Sequence, residues 1–294
     1  MADDRPIVVG VDGSQGSHAA VQWAAEEAAR RDRPLRVVHA TVPTHLPTMR
    51  SVAVATTTEW KQQAEKVAAD GAVAARRLHP TLTVERKVHL NQNPAQALAD
   101  EAESAELLVL GARGSGGFAR LRLGSTAVQL LELASGPVVI VREPGADVMP
   151  GPAAGQVVVG VDGSELSRRA VRFGLGEAAQ RGTGLTAVHA WTAPWHPALR
   201  SFEASGGVDW SFLEPQAAAI LSESVAGARE EFSEVEVTER LVNDQPGDAL
   251  LDASRGAELL VVGSRGLGGL TGLVLGSVSH GAVHQAHCSV AVVR

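Results

Sequence analysis

The sequence predicts an α/β protein made of two tandem domains, each a five-stranded parallel sheet with helices on both faces. Three observations carry that prediction. Val8-Val9-Gly10-Val11-Asp12-Gly13-Ser14 returns as Val158-Val159-Gly160-Val161-Asp162-Gly163-Ser164, and Val38-His39-Ala40 returns as Val188-His189-Ala190. Short apolar runs alternate with helical stretches in the same order in each half, the pattern of a parallel sheet covered on both faces. Gly111, Gly114 and Gly124-Ser125 recur with the same spacing as Gly263, Gly266 and Gly276-Ser277, each set following an apolar strand and opening a helix.

In chain order, an apolar strand at 6–11 precedes a helix from Ser17 to Arg30, and a second strand occupies 35–40. A crossover bearing Pro43 and Pro47 leads to a helix over about 57–78 and a strand at 82–88. Pro94 opens a helix that runs to Glu103, and the apolar strand 106–110 leads straight into the glycine loop. A helix then opens at Gly124-Ser125 and runs to Ala134, and Pro137 to Val141 forms the last strand. Residues 1–143 thus form one domain and 156–294 its repeat, joined by a linker at 144–155 rich in proline and glycine. Ligands in such sheets bind beyond the carboxyl ends of the strands, where the loops after the first and fourth strands open.

The glycine loop has a backbone suited to phosphate. Without a Cβ, Gly111 and Gly114 allow a sharp turn and close approach, while Gly124-Ser125 places free N–H groups at a helix N-terminus. Arg113 and Arg265 fall between the first two glycines of each copy, where a guanidinium adds charge-assisted bonds to phosphate oxygens. Two rival nucleotide readings fail on the residues. Gly10, Gly13 and Gly16 lack the GxGxxG order of a dinucleotide fingerprint, no acid closes the second strand at Ala40-Thr41, and Leu166 replaces the third glycine in the second copy. No glycine is followed by Lys-Ser or Lys-Thr, so a Walker loop is excluded.

The strand ending in Asp12, Val38-His39-Ala40, and the pattern GxxG, nine residues, Gly-Ser together resemble the ATP-binding branch of the universal stress protein family in tandem form. The resemblance covers residues 5–142 and 156–294. It implies two Rossmann-like domains that each bind ATP, with or without magnesium, through glycine-loop backbone and serine hydroxyl on phosphates and ribose. It also implies that Asp12 and the main chain near Ala40 lie at the adenosine end. The first site would use Asp12, Ala40, Gly111, Arg113, Gly114, Gly124, Ser125 and Thr126. The second would use Asp162, Ala190, Gly263, Arg265, Gly266, Gly276, Ser277 and Ser279. Thr126-Ala127 becomes Val278-Ser279, so a hydroxyl shifts by one position and the two affinities are expected to differ. The family also implies a homodimer as one state of the whole chain.

Other residues weigh against other functions. The net charge of −7 comes from the second half, with 10 Lys+Arg against 17 Asp+Glu, and up to residue 146 the count is 16 against 16. Neither half is basic, which disfavours nucleic acid. No apolar run spans a membrane, the start lacks a signal peptide, and one cysteine, Cys288, fits a reducing cytoplasmic setting. His280, His284, His287 and Cys288 carry metal-ligand chemistry, but Val128, Glu132, Ser135 and Gly136 stand at the corresponding places in the first copy, so no metal site is expected. A carboxylate such as Asp12 or Asp162 beside a turn also caps backbone N–H groups, the plainer of its two roles. Gly111 to Thr126 and Gly263 to Ser279 contain no Asp, Glu, His or Gln, so no catalytic residue is expected and at most a very slow ATPase. Trp191, Trp195 and Trp210 lie on the long crossover of the second half, where one reading is a lid over adenine and the other is packing between domains. Duplication also predicts that the halves pack about a pseudo-twofold axis through Val138–Val141 and Val290–Val293. The function expected is a nucleotide-dependent regulator acting on a protein partner that the sequence does not name.

Overall fold

The computed structural model describes residues 4–42, 50–115, 122–142, 149–192, 213–267 and 275–294. The chain divides into two compact units: Met1–Glu143 with Ser289–Val292, and Pro144–Cys288 with Val293–Arg294.

In the first unit β1 (Ile7–Gly10) is flanked by β2 (Leu35–Thr41) and β4 (Leu107–Gly111), with β3 (Val84–Leu90) beyond β2 and β5 (Val138–Val141) beyond β4, all parallel. Ile7, Val8 and Val9 have no exposed surface, as continuous apolar strands require when both sheet faces are covered. Each such side chain contributes about 1.5–3 kcal/mol by leaving water. The unit also holds Ser289–Val292, where β10 (Val290–Val293) runs antiparallel to β5, with Val290 opposite Ile140 and Val292 opposite Val138.

The helices are α1 (Gln15–Arg30), α2 (Arg50–Leu78), α3 (Pro94–Ala102) and α4 (Ser125–Leu133). Helix α1 begins two residues before the expected Ser17 because Ser14 is its N-cap, accepting Ser17 N at 3.1 Å. Helix α2 begins at Arg50 instead of about residue 57. Its first nine residues carry Val52, Val54 and three threonines, whose poor helix propensity hides them in a sequence reading. Strand β3 is displaced two residues from the expected 82–88, because pairing with β2 continues to Thr41 opposite Leu90.

In the second unit β6 (Val157–Val161) lies between β7 (Leu185–Trp191) and β9 (Leu259–Gly263), with β8 (Val237–Asn243) beyond β7, again parallel. Its helices are α5 (Glu165–Arg181), α6 (Leu213–Arg229), α7 (Pro246–Ala253) and α8 (Ser277–Gln285). Ser164 caps α5 as Ser14 caps α1. The segment expected as linker is partly bonded into this unit: Gly151 N donates to Arg255 O and Gly155 N to Gly256 O, both at 2.8 Å. Ala153 is 1% exposed beneath them. Trp195 and Trp210 lie outside the described residues; Trp191 closes β7.

Among the described residues, one charged cluster stands out in the first unit. Glu101 of α3 is buried and accepts from Arg36 Nη1 at 3.1 Å, with His89 Nε2 at 2.9 Å and the Lys87 ammonium also paired to it. Burial opposes its ionisation, but Lys87, His89 and Arg36 outweigh burial and hold the carboxyl below its ordinary value.

Candidate functional site

Each candidate site grows from the turn after the first strand. Asp12 follows β1, Gly13 takes φ +80, and Ser14 starts α1. The Asp12 carboxylate bridges two segments: Oδ1 accepts Ser14 N at 3.0 Å, and Oδ2 accepts Ser115 N, from the glycine loop, at 2.6 Å. Asp162 repeats the brace, with Oδ1 on Ser164 N and Oδ2 on Leu267 N, both at 3.0 Å. Burial raises the cost of ionising both carboxyls, yet the hydrogen bonds, from Ser14 and Ser115 in one copy and Ser164 and Leu267 in the other, prevail and lower both pKa values. The plainer, capping role expected for these aspartates is therefore present, and it extends across the site to the glycine loop.

That brace explains the second glycine of each motif. A Cβ on Gly114 would run into Asp12 Oδ2, and one on Gly266 into Asp162 Oδ2, so the loop comes close enough to donate only if the residue is glycine. The first glycine answers a different neighbour. A Cβ on Gly111 would collide with the backbone of Gly16, and one on Gly16 with the carbonyl of Arg113. Gly16 thus lets α1 and the loop meet backbone to backbone. Leu166 takes its place in the second copy, where the contacts to Gly263 relax to 3.2 Å.

The loop returns to the sheet before its helix starts. Gly124 N donates to Ala112 O and Gly276 N to Ser264 O, both at 2.8 Å. Gly124 and Gly276 are the N-caps of α4 and α8 and supply no side-chain cap for the first-turn N–H groups, an arrangement chemically suited to an anion. In the second unit these features wall a cavity of about 440 Å³ that includes Asp162, Ala190, Gly263, Arg265, Gly266 and Ser277. Val188, Leu250 and Val262 give it an apolar side. Its size falls within the usual range of small-molecule sites, about 300–1,000 Å³. All of the residues expected for the second site line it, Gly276 and Ser279 among them.

The hydroxyl of Ser279 is already engaged. It is buried and donates to Gly263 O at 2.6 Å, tying the first turn of α8 to the end of β9. Ala127 stands there in the first copy and Thr126 is half-buried one position earlier, so the hydroxyls differ in role as well as in place. In the first unit Ala40 pairs with His89 at the end of β2, and Arg113 and Ser125 are exposed around the loop. His39 Nδ1 and His189 Nδ1 donate to the carbonyls of Val11 and Val161 at 2.6 and 2.7 Å, which fixes both rings against the ends of the neighbouring strands. His280 and His284 stack with ring centroids 4.3 Å apart, and among the described residues no group of three or more metal-ligating side chains comes together. The sequence reading missed the apolar wall of Leu250 and Val262 and the N–H of Ser115 and Leu267. The wall is recognisable only once α7 is known to pack on β7 and α8, with Leu250 against Gly160 of β6, and the donors are backbone groups that leave no mark in residue type.

The sequence profile of the universal stress protein family matches residues 5–142 and again 154–294. The chain belongs to the universal stress protein family, in tandem form. A universal stress protein of Mycolicibacterium smegmatis is 37% identical over 302 residues, covering 100% of this chain and 98% of the relative. One from Mycobacterium tuberculosis is 38% identical over 297 residues, covering 98% and 96%. Among solved structures, a universal stress protein from Archaeoglobus fulgidus superposes with a TM-score of 0.66 at 20% identity, covering 99% of this chain and 96% of that one, which supports the fold. No helix among the described residues of this universal stress protein is long and apolar enough to cross a membrane.

Proposed function

We propose that this universal stress protein is an ATP-binding regulator of the cytoplasm with one nucleotide site per domain, acting through occupancy-dependent conformation or partner choice. The cavity of the second unit carries the reading: glycine-loop backbone, Arg265, the first residues of α8, the Asp162 that braces the loop, Ala190 and the apolar Val188, Leu250 and Val262 all line it. A nucleotide needs that combination, a polar end for phosphates and an apolar slot for the base. The first site repeats the same brace, glycines and uncapped helix start.

Regulation fits these residues better than turnover. Phosphoryl transfer needs a positioned base and metal-holding carboxylates. The loop segments supply no acid, histidine or glutamine, and both carboxylates at the sites are bound to backbone N–H groups. Nucleotide beside the loop residues that Asp12 or Asp162 tethers would change the surface that a partner protein reads. The test is the nucleotide released on denaturing freshly purified protein, measured per chain for wild type and for Gly114→Ala with Gly266→Ala. About two equivalents of adenine nucleotide in wild type, lost in the double variant, is the expected result. None in either, with no uptake of added ATP and magnesium, overturns the reading and leaves an interaction module.

A further inference from the structure

Helices α1 and α2 of the first unit pack on each other and on β1 and β2, and near the end of β1 they enclose a recess of about 190 Å³. Its floor is apolar, with Val11, Val21 and Gly71. A Cβ on Gly71 would stand 3.1 Å from Val37, so glycine, a poor helix former, lets α2 settle onto the sheet here. The rim is polar, with His18 from α1 and Gln63, Lys66 and Asp70 from α2. Lys66 and Asp70 are one helical turn apart, but a lysine N-terminal to its acid is the less favourable order for a pair that closes within a helix. Among the described residues no such pair forms.

The second copy closes the same place with its own side chains. Buried Ala64, Ala68 and Ala72 of α2 match buried Ala217, Leu221 and Val225 of α6, which puts Ala219, Ile220, Glu223 and Ser224 where Lys66, Val67, Asp70 and Gly71 stand. Ile220 Cγ2 lies 3.0 Å from the position of a Cβ on Gly163, against 3.7 Å for Val67 at Gly13. Ser224 occupies the glycine position and donates its hydroxyl to Ile220 O at 2.7 Å. Arg168, in place of His18, folds back onto Gly163 O at 2.9 Å and onto Glu165. No residue of α6 lines the cavity of the second unit, so the recess under α2 is a different place from the nucleotide site.

We propose that this recess binds a small zwitterion with an aliphatic side chain, a free amino acid of the valine or leucine type. Lys66 meets its carboxylate, Asp70 its ammonium group, and Val11, Val21 and Val67 surround the side chain. The rim sets the chemistry, because charges of both signs one turn apart suit a molecule that carries both. The apolar floor disfavours a charged side chain. A volume of about 190 Å³ also falls below the roughly 300–1,000 Å³ of sites for larger ligands, which leaves a nucleotide out. The inference stands apart from the nucleotide reading and does not depend on it.

The experiment is ligand-observed NMR titration of the full chain with leucine, with 4-methylpentanoate, which lacks the ammonium group, and with isopentylamine, which lacks the carboxylate. Wild type should bind leucine with a dissociation constant of about 1 mM or tighter. Both analogues should bind about tenfold more weakly, since each loses one charge-assisted contact. Lys66→Ala and Asp70→Asn should each weaken leucine by about tenfold. Val67→Ile, which copies Ile220 of the second unit and narrows the recess while keeping both charges, should remove the leucine signal. Thermal melts that follow wild type show that a lost signal is not a lost fold. Wild type that does not bind leucine overturns the proposal, and so does leucine binding that Val67→Ile leaves unchanged or that 4-methylpentanoate matches.

Discussion

Gly266→Ala places a methyl group against Asp162 Oδ2, closer than any van der Waals contact allows. That oxygen already holds Leu267 N at 3.0 Å. Relief requires the loop to withdraw or the carboxylate to rotate, and either movement breaks a hydrogen bond to a charged acceptor worth about 1.5–3 kcal/mol. Because Asp162 is only half-buried, the lower end applies, and about 1.5 kcal/mol corresponds to roughly tenfold in the affinity of the second site for ATP. The assay is calorimetric titration of wild type, Gly266→Ala, Asp162→Ala and the double variant, arranged as a double-mutant cycle. If the clash with Asp162 is the cause, the alanine at 266 costs little once the carboxylate is gone, and the cycle shows a coupling of about 1 kcal/mol or more. Strict additivity of the two substitutions would refute the brace as the reason for glycine at this position.

Asp12 and Asp162 have folded-state pKa values below the ordinary 3.8, so their contribution to stability is present above that value and is lost as pH falls through the lowered folded values. Urea midpoints measured downward from pH 5 should fall more steeply for wild type than for Asp12→Asn with Asp162→Asn. Ser279→Ala removes a buried hydroxyl bond to Gly263 O and should cost about 1 kcal/mol in chemical denaturation; a loss beyond about 3 kcal/mol would mean the hydroxyl carries more than this tie. Glu101→Ala leaves Arg36, Lys87 and His89 without their buried anion. It should destabilise the first unit by about 3 kcal/mol, whereas an unchanged denaturation curve would show the cluster to be solvent-screened. Turnover of ATP by wild type should remain below about 1 per second, the low end for dedicated enzymes, and a phosphate-release assay above that rate would require a catalytic group that the loops do not contain.

The fold was legible because duplication let each half check the other. Val8-Val9 and Val158-Val159 at the start, and the two glycine sets at the end, marked the same strands twice. Short-range chemistry was legible as well: glycines before a helix start point to uncapped N–H groups whatever the tertiary structure. What stayed hidden depended on partners distant in sequence. Ser115 and Leu267 share no side-chain property, yet their N–H groups do the same work for Asp12 and Asp162. Gly16 resembled a fragment of a dinucleotide motif, but its role is to admit the carbonyl of Arg113. The start of α2 was missed because its valines and threonines are poor helix formers, and the shift of β3 was set by pairing with β2.

Ser289 donates no sequence signal of its own, yet its hydroxyl accepts Arg142 N from a residue 147 positions earlier, and Val290 to Val292 then zip along β5. During synthesis, therefore, β5 emerges well before the strand that pairs with it. The ribosome must add the 147 positions from Arg142 to Ser289 before that margin is covered, so a chaperone that recognises unpaired strands has its longest opportunity at β5, and messages truncated ahead of Ser289 yield a product prone to stick to its own kind.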